Sequence, residues 1–335
     1  MGDVLFTTIE KFHGAKLWGR VLDAGTGLHS MKWIQKIPTT SWTAITADNN
    51  MRNQVLKDAS VAANMRPMDS IVVGNWMDQL FTETLGSYDT ILADYLIGAV
   101  DGFSPYQQDE IIGKLKKHLN PNGRLYIIGM SPIPDDPAPP GNIISEIRRA
   151  RDSCILLAGH RPYREFPLDW MRRHLEAAKF SIVGSKNFTI LHSEESAVRQ
   201  IKVAQSKLPL IKNTDLKKGT EKYLTDLEGR ARSAIRAAGG KIPLSFDYVL
   251  AVEHILEQQQ LLNTLAADAS SSLAAGNNNN NNNNSSSSSS SSSSLLGGGI
   301  SSAGTGSTMG ATGANCITAP PPPPLHPAKD AGAST

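Results

Sequence analysis

Residues 21–29 read VLDAGTGLH, an apolar run that ends at Asp23 and continues into two glycines, Gly25 and Gly27, separated by one residue. Glycines at such a turn let a ligand approach the backbone without meeting a Cβ atom. A carboxylate directly before the turn would repel a pyrophosphate. The stretch therefore predicts the first strand of an α/β sheet, followed by a loop that meets a ligand other than a phosphate.

Apolar runs alternate with amphipathic segments on the C-terminal side of this stretch. The run YDTILADYL is apolar on both sides, as a central parallel strand requires. Alternation of strands and helices predicts a doubly wound, mostly parallel sheet. Predicted strands occupy residues 19–24, 41–48, 70–76, 88–96 and 124–130, and predicted helices occupy residues 30–38, 50–65 and 109–119.

The chain after residue 130 begins with a proline-rich loop, SPIPDDPAPPG, and continues into a predicted helix over 142–160. A helix over 167–180, a strand or strand pair over 179–191 and a last strand over 245–254 follow. These later strands bring the expected sheet to seven. One side of the first helix is apolar, with Ile143, Ile147, Ala150, Cys154 and Ala158.

A polar residue stands at or just after the end of each of the first four predicted strands. These residues are Asp23, Asp48, Asn75 and Asp94. In open α/β sheets, ligands bind beyond the carboxyl ends of the strands, beside the point where the strand order reverses. We therefore expect the four side chains to meet at one ligand site.

In these motifs the chain resembles the class I S-adenosylmethionine-dependent methyltransferases over about residues 19–254. The motifs are VLDAGTG, the acid that closes the second strand, VVGNW, ILADYL and LNPNGRLYIIG. The late run SFDYVLAVEH fits the antiparallel strand that this family adds at the edge of its sheet. The resemblance implies a Rossmann-like methyltransferase fold with S-adenosyl-L-methionine as the cofactor.

The resemblance also assigns cofactor-binding residues. Asp23 would face the ammonium and sulfonium groups, Gly25 and Gly27 would admit the cofactor to the backbone, and Asp48 would accept both ribose hydroxyls. Two further residues have weaker assignments. Asn75 would offer its amide to the adenine edge, and Trp76 would offer a flat apolar face.

Structural interpretations compete with these assignments. Asp48 is also a favoured helix N-cap, Asp23 could be a turn residue, and Asn75 and Trp76 could simply pack a loop. A dinucleotide site is disfavoured because its G-x-G-x-x-G pattern requires a third glycine, where this chain has Ser30. The methyltransferase pattern often carries a third glycine too, and His29 stands there.

Three residues are candidates for catalysis. Asp94 and His160 are candidate general bases, and Tyr163 could hydrogen-bond the nucleophile. The loop 159–170 either lines a substrate cavity or is a charged connector. Nearby arginines could attract an anionic substrate or form a solvated helix face: Arg148, Arg149, Arg151, Arg172 and Arg173.

Composition excludes several classes of protein. The net charge of +2 does not support a nucleic-acid partner, and two cysteines exclude a disulfide framework. The histidines lack ligand-like spacing, so no metal site is expected. Without a membrane-length apolar run or a signal peptide, we expect a cytoplasmic protein.

The predicted domains follow the composition. Residues 1–18 form a short N-terminal segment, and residues 19–262 form the methyltransferase-like domain. Within that domain, about 19–130 is the cofactor half and about 131–170 a substrate-side insertion. Asparagine, serine and proline runs predict that residues 263–335 are a disordered tail, a candidate for weak protein contacts.

The expected function is methyl transfer to an oxygen or nitrogen of a small-molecule acceptor. One alternative on the same fold is an aminopropyltransferase, which would use Asp94 and Asp101 to hold a polyamine. A second alternative is a binding protein that has lost activity.

Overall fold

The computed structural model of the protein describes residues 3–255, which form one seven-stranded sheet with helices on both faces. The strand order is β3-β2-β1-β4-β5-β7-β6. Strands β1 to β5 are parallel, and β7 is antiparallel to both neighbours. The strands are β1 (Arg20–Asp23), β2 (Ser41–Thr46), β3 (Ser70–Val73), β4 (Tyr88–Asp94), β5 (Leu119–Met130), β6 (Phe180–Ser193) and β7 (Lys241–His254).

Helices occupy the connections between these strands. A 3₁₀ turn, Leu208–Leu210, lies between the last two helices of the chain. The helices are α1 (Val4–His13), α2 (Leu28–Ile34), α3 (Asn49–Lys57), α4 (Ala59–Ala63), α5 (Gln79–Glu83), α6 (Leu96–Phe103), α7 (Gln108–Lys117), α8 (Asn142–Leu157), α9 (Leu168–Ala177), α10 (Glu194–Lys207) and α11 (Thr214–Ala237).

Two apolar cores cover the two faces of the sheet because successive side chains of a strand point to opposite sides. On β5, Leu125 and Ile127 belong to one core, whereas Tyr126 and Ile128 belong to the other. Strands β4 and β7 alternate in the same way. The central strands are therefore buried on both faces, as the apolar runs predicted.

A third core joins α8, α10 and α11. It contains Ile147 and Cys154 from the predicted apolar side of α8, together with Ile201 and Leu224. The sequence analysis placed the substrate-side insertion at about 131–170 and gave no elements for residues 194–240. Two separate inserts, one after β5 and one after β6, in fact pack together as a helical layer.

The predicted fold class is confirmed for the described residues: the sheet is seven-stranded, mostly parallel and covered on both faces. Strand β7 is antiparallel as expected, but it lies between β5 and β6 and does not form the edge. The predicted helix 50–65 is divided at Asp58. That side chain accepts hydrogen bonds from Ser60 N and Val61 N and so starts α4 as a new helix.

The N-terminal segment 1–18, which was expected only to precede the domain, contains α1. Its apolar face buries Leu5, Phe6 and Ile9 against the core that includes Trp33 of α2. The indole of Trp33 donates to Glu10 Oε1 at 2.8 Å. The first helix is thus part of the domain.

Some sequence predictions lie beyond the described residues. The domain boundary near 262 and the disordered tail 263–335 both fall outside residues 3–255 and stay predictions. Within the described range, no helix is both long enough and apolar enough to span a membrane.

Candidate active site

The strand order reverses between β1 and β4, which is the switch point where α/β sheets bind ligands. There, Ala24 N donates to Leu92 O of β4, while Thr26 N donates to Ile45 O of β2. The glycine loop is thereby anchored across three adjacent strands. A cavity of about 1000 Å³ opens above it and extends to the helical layer.

Eight of the nine predicted site residues line this one cavity, although they come from distant parts of the chain. The ninth, Asp23, is fully buried and is not among the lining residues. Asp101, which the aminopropyltransferase alternative requires, also lies outside the lining. The eight are Gly25, Gly27, Asp48, Asn75, Trp76, Asp94, His160 and Tyr163.

Asp23 is linked to the glycine loop by hydrogen bonds through Ser30. Ser30 Oγ donates to Asp23 Oδ2 at 2.7 Å, and Gly27 N donates to Ser30 Oγ at 3.2 Å. Burial raises the pKa of Asp23 to about 6, while the Ser30 hydrogen bond lowers it. The other oxygen, Oδ1, is buried with no hydrogen-bond partner among residues 3–255. The hydrogen bonds of Ser30 to Asp23 and Gly27 explain why a serine follows the loop.

His29 stands where the methyltransferase pattern often has a third glycine, and it connects the loop to α1. Its Nε2 lies 3.2 Å from Asp3 Oδ2, and its ring lies 5.0 Å from the ring of Phe6. His29 also lines the cavity. A glycine here could make neither contact, so the side chain fits a loop covered by an N-terminal helix.

Asp48 has both of the roles that its sequence position allowed. Oδ1 accepts from Asn50 N at 2.9 Å, which caps the N-terminus of α3. Oδ2 is buried in the cavity wall and has no partner in the described part of the chain. An unpaired buried carboxylate oxygen is costly, so this position calls for a hydrogen-bond donor from a ligand.

Asn75 and Trp76 line the cavity, yet both side chains already form hydrogen bonds within the protein. Asn75 Oδ1 accepts from Met77 N at 2.9 Å and from Ser104 Oγ at 3.0 Å. Trp76 Nε1 donates to Ala24 O at 2.6 Å, and the indole is only 5% exposed. Both side chains therefore shape the loops around the cavity, and contact with a ligand would come in addition.

Asp94 ends β4 in a group of carboxylates. Burial raises its pKa well above the usual range, and the charges of Asp23, Asp3 and Asp247 raise it further. Asp247, on β7, is 4% exposed, and burial raises its pKa to about 6. The deep end of the cavity thus has an excess of negative charge, which favours a cationic ligand or a bound proton.

Tyr163 and Glu165 extend this group; the sequence analysis offered their loop, 159–170, as cavity lining but did not name Glu165 as a catalytic candidate. Burial, with Asp48 and Glu165 nearby, raises the pKa of Tyr163 to about 12. Burial also raises the pKa of Glu165 to about 7. Both residues line the cavity. A base works best when its pKa is near the working pH, so Glu165 joins Asp94 as a candidate.

His160 lies at the other end of the cavity, beside the helical layer. Its Nδ1 is 3.3 Å from Lys207 Nζ on α10. Burial and the charge of Lys207 lower the pKa of His160. Within residues 3–255, no group of three or more His, Cys, Asp or Glu side chains is placed to hold a metal ion.

Replacing Asp247 by asparagine should stabilise the ligand-free protein more at pH 8 than at pH 5. The unfolded carboxyl ionises near 3.8 and the folded one near 6, so ionisation costs stability as the pH rises through this range. The isosteric amide removes that cost. We expect a gain roughly 1 to 2 kcal/mol larger at pH 8, measured by urea unfolding. An equal gain at both pH values would contradict the raised pKa of Asp247.

The strand order places an antiparallel seventh strand beside the fifth and an acid at the end of each of β1 and β4. The resemblance implied a late antiparallel strand, although at the edge of the sheet, and an acid at the end of the first strand. The chain has the fold of class I methyltransferases.

Solved structures that are similar to this chain include a protein described as a candidate methyltransferase and one described as a cyclopropane synthase. A candidate methyltransferase from Bacillus halodurans is 13% identical, with a TM-score of 0.48. The alignment covers 74% of this chain and 97% of that protein. The YcgJ protein from Bacillus subtilis is 16% identical at a TM-score of 0.46, covering 74% and 97%. The cyclopropane synthase MmaA2 from Mycobacterium tuberculosis is 15% identical at 0.45, covering 74% and 84%. No protein-family profile and no curated protein sequence matches the chain.

The residues of this methyltransferase fold suit S-adenosylmethionine. The unpartnered Oδ2 of Asp48 could accept from a ribose hydroxyl, and Gly25, Gly27 and Asp94 line the same cavity. At Gly25, a Cβ atom would lie only 2.9 Å from Leu96 Cδ1, so the wall is already close-packed there. The carboxylate excess at the deep end matches the positive charge of the cofactor.

Proposed function

We propose that the protein transfers a methyl group from S-adenosylmethionine to a nitrogen or oxygen of a small-molecule acceptor. The observation that carries the proposal is Asp48, which lines the cavity: one oxygen caps α3, and the other is buried without a partner in the described chain. Burial of the second oxygen without a partner is costly, and a hydrogen-bond donor from a ligand would remove that cost.

The cofactor would supply an electrophilic methyl group attached to a sulfonium. Asp48 would hold the ribose, and the backbone of Gly25 and Gly27 would line the path of the amino-acid tail. The protein contributes mainly position and exclusion of water.

Proton handling falls to the deep end of the cavity. Asp94 and Glu165 both have a raised pKa, which suits a group that takes a proton from an attacking nitrogen or oxygen near neutral pH. Tyr163, with its pKa raised to about 12, keeps its proton and can donate a hydrogen bond to the acceptor.

An aminopropyltransferase is less well supported. Asp101, one of the two acids that it would use, already accepts from Gln108 Nε2 at 2.7 Å and lies 3.4 Å from Arg161 Nε. The far end of the cavity is lined by cations, which would repel a polyamine. Only Asp94 of the proposed pair faces the cavity.

Calorimetric titration tests the cofactor first. S-adenosylhomocysteine and S-adenosylmethionine should each bind with a Kd near 1 μM, about −8 kcal/mol, whereas NAD should not bind. Binding of NAD alone would contradict the proposal. Binding of the two adenosyl compounds without transfer of labelled methyl to any component of a metabolite extract would instead support an inactive binding protein.

A further inference from the structure

The outer end of the cavity is lined by positive side chains from two helices. On α8, Arg148 and Arg151 share a face with Asp152 and Ile155, at the i, i+3, i+4, i+7 spacing of one helix side. The opposite side of α8 is in the third core. Helix α10 presents three cations to the same space: Arg199, Lys202 and Lys207.

The nearby carboxylates neutralise only some of this charge. Arg148 Nη2 lies 2.5 Å from Asp135 Oδ1, and Arg151 Nη2 lies 2.7 Å from Asp152 Oδ1. In the described chain, Lys202 and Lys207 form no ion pair. The Arg148 Nε is buried and has no hydrogen-bond partner there.

Lys207 and His160 are in direct contact at the outer end of the cavity. Their nitrogens lie 3.3 Å apart, and burial lowers the pKa of both. The neutral His160 ring accepts a hydrogen bond from Lys207 Nζ, and protonation of the ring would replace that bond with two adjacent positive charges. An anion bound beside the pair would offset this repulsion and accept a charge-assisted hydrogen bond from each residue.

The five arginines that the sequence analysis assigned either to an anionic substrate or to a solvated helix face fall into two groups. Arg148 and Arg151 face the cavity, whereas Arg149, Arg172 and Arg173 are exposed and do not line it. A solvated helix face would not place two of its arginines along a cavity wall opposite lysines from another helix. The charge is therefore concentrated where a ligand can reach it.

We propose that this outer end, formed by Arg148, Arg151, Lys207 and His160, binds an anionic group of the acceptor, either a phosphate or a carboxylate. The acceptor is then bipolar: its anionic end lies against α8 and α10, and its nucleophilic end points to Asp94 and Glu165. Assignment of the anion to an acceptor rests on the proposed methyl transfer, whereas the anion site itself rests on these contacts alone.

Titration of the intact protein with inorganic phosphate and with acetate tests the site. Calorimetry should show saturable binding of at least one anion, and the His160 NMR resonance should report a higher pKa when that anion is bound. Preference for phosphate or for acetate tells which class the acceptor belongs to. Lys207→Gln should weaken binding about tenfold or more.

Arg173→Gln is the matched control because it removes the same charge from an exposed position on α9. It should leave anion binding unchanged. The proposal is overturned if neither anion binds, if the two variants weaken binding equally, or if the His160 pKa does not move. Titration of the wild-type protein with S-adenosylhomocysteine is a separate measurement. If the proposed function fails and the anion site is correct, that compound does not bind while the anion still does.

Discussion

Replacing Asp48 by alanine should lower the affinity for S-adenosylhomocysteine about 100-fold. The substitution removes the buried acceptor Oδ2, which has no partner in the described chain, from a residue that lines the cavity. Charge-assisted hydrogen bonds are worth roughly 1.5–3 kcal/mol each, and two ribose hydroxyls can use this carboxylate. Calorimetric titration of variant and wild type measures the loss.

Asp78→Ala is the control for the capping role of Asp48. Asp78 Oδ1 accepts from Leu80 N and Phe81 N at the start of α5, and it does not line the cavity. Both variants should lose about 1 kcal/mol of stability with the cap, but only Asp48→Ala should lose affinity. If Asp48→Ala unfolds more easily and still binds the ligand as wild type does, Asp48 is a cap and nothing more.

The sheet and the inner part of the site could be predicted from the sequence because both depend on short-range patterns. Central parallel strands are apolar on both faces, and the residue that follows such a strand must lie at its carboxyl end. Asp48, Asn75 and Asp94 were found in this way without any contact information. All three line the cavity.

The outer part of the site could not be predicted in the same way. Helices α8 and α10 come from inserts about 50 residues apart, and each has an ordinary amphipathic pattern. Nothing in either pattern says that their polar sides face the same space. The arginines of α8 gain a role only when the third core fixes the two helices side by side.

Glu165 and Asp247 were missed for a different reason. A carboxylate becomes chemically informative when burial raises its pKa, and burial of a residue in a loop, or in the middle of a late strand, is decided by packing. Glu165 lies in a connector, and Asp247 directly precedes the buried apolar run 248–252 of β7. The nearest sequence signal is the acidic residue within SFDYVLAVEH, whose neighbours are mostly apolar.

Trp76→Ala should lower the free energy of unfolding by about 3–5 kcal/mol, the usual cost of truncating a buried tryptophan. The indole is 5% exposed, packs in the core beneath the site and donates to Ala24 O at 2.6 Å. Trp76→Phe keeps most of the ring but leaves Ala24 O without this donor, so it should lose only about 1–2 kcal/mol. Urea unfolding measures both.

The comparison with Trp170→Ala separates packing from ligand contact. Trp170 is partly exposed on α9 and does not line the cavity, so its truncation should cost less stability and leave affinity for S-adenosylhomocysteine unchanged. Because Ala24 directly precedes Gly25, loss of the indole should also loosen the glycine loop and weaken ligand binding. Between Trp76→Phe and Trp76→Ala, the loss of affinity should rise with the loss of stability. A Trp76→Ala protein as stable as wild type, but with lower affinity, would show instead that the indole serves the ligand and not the fold.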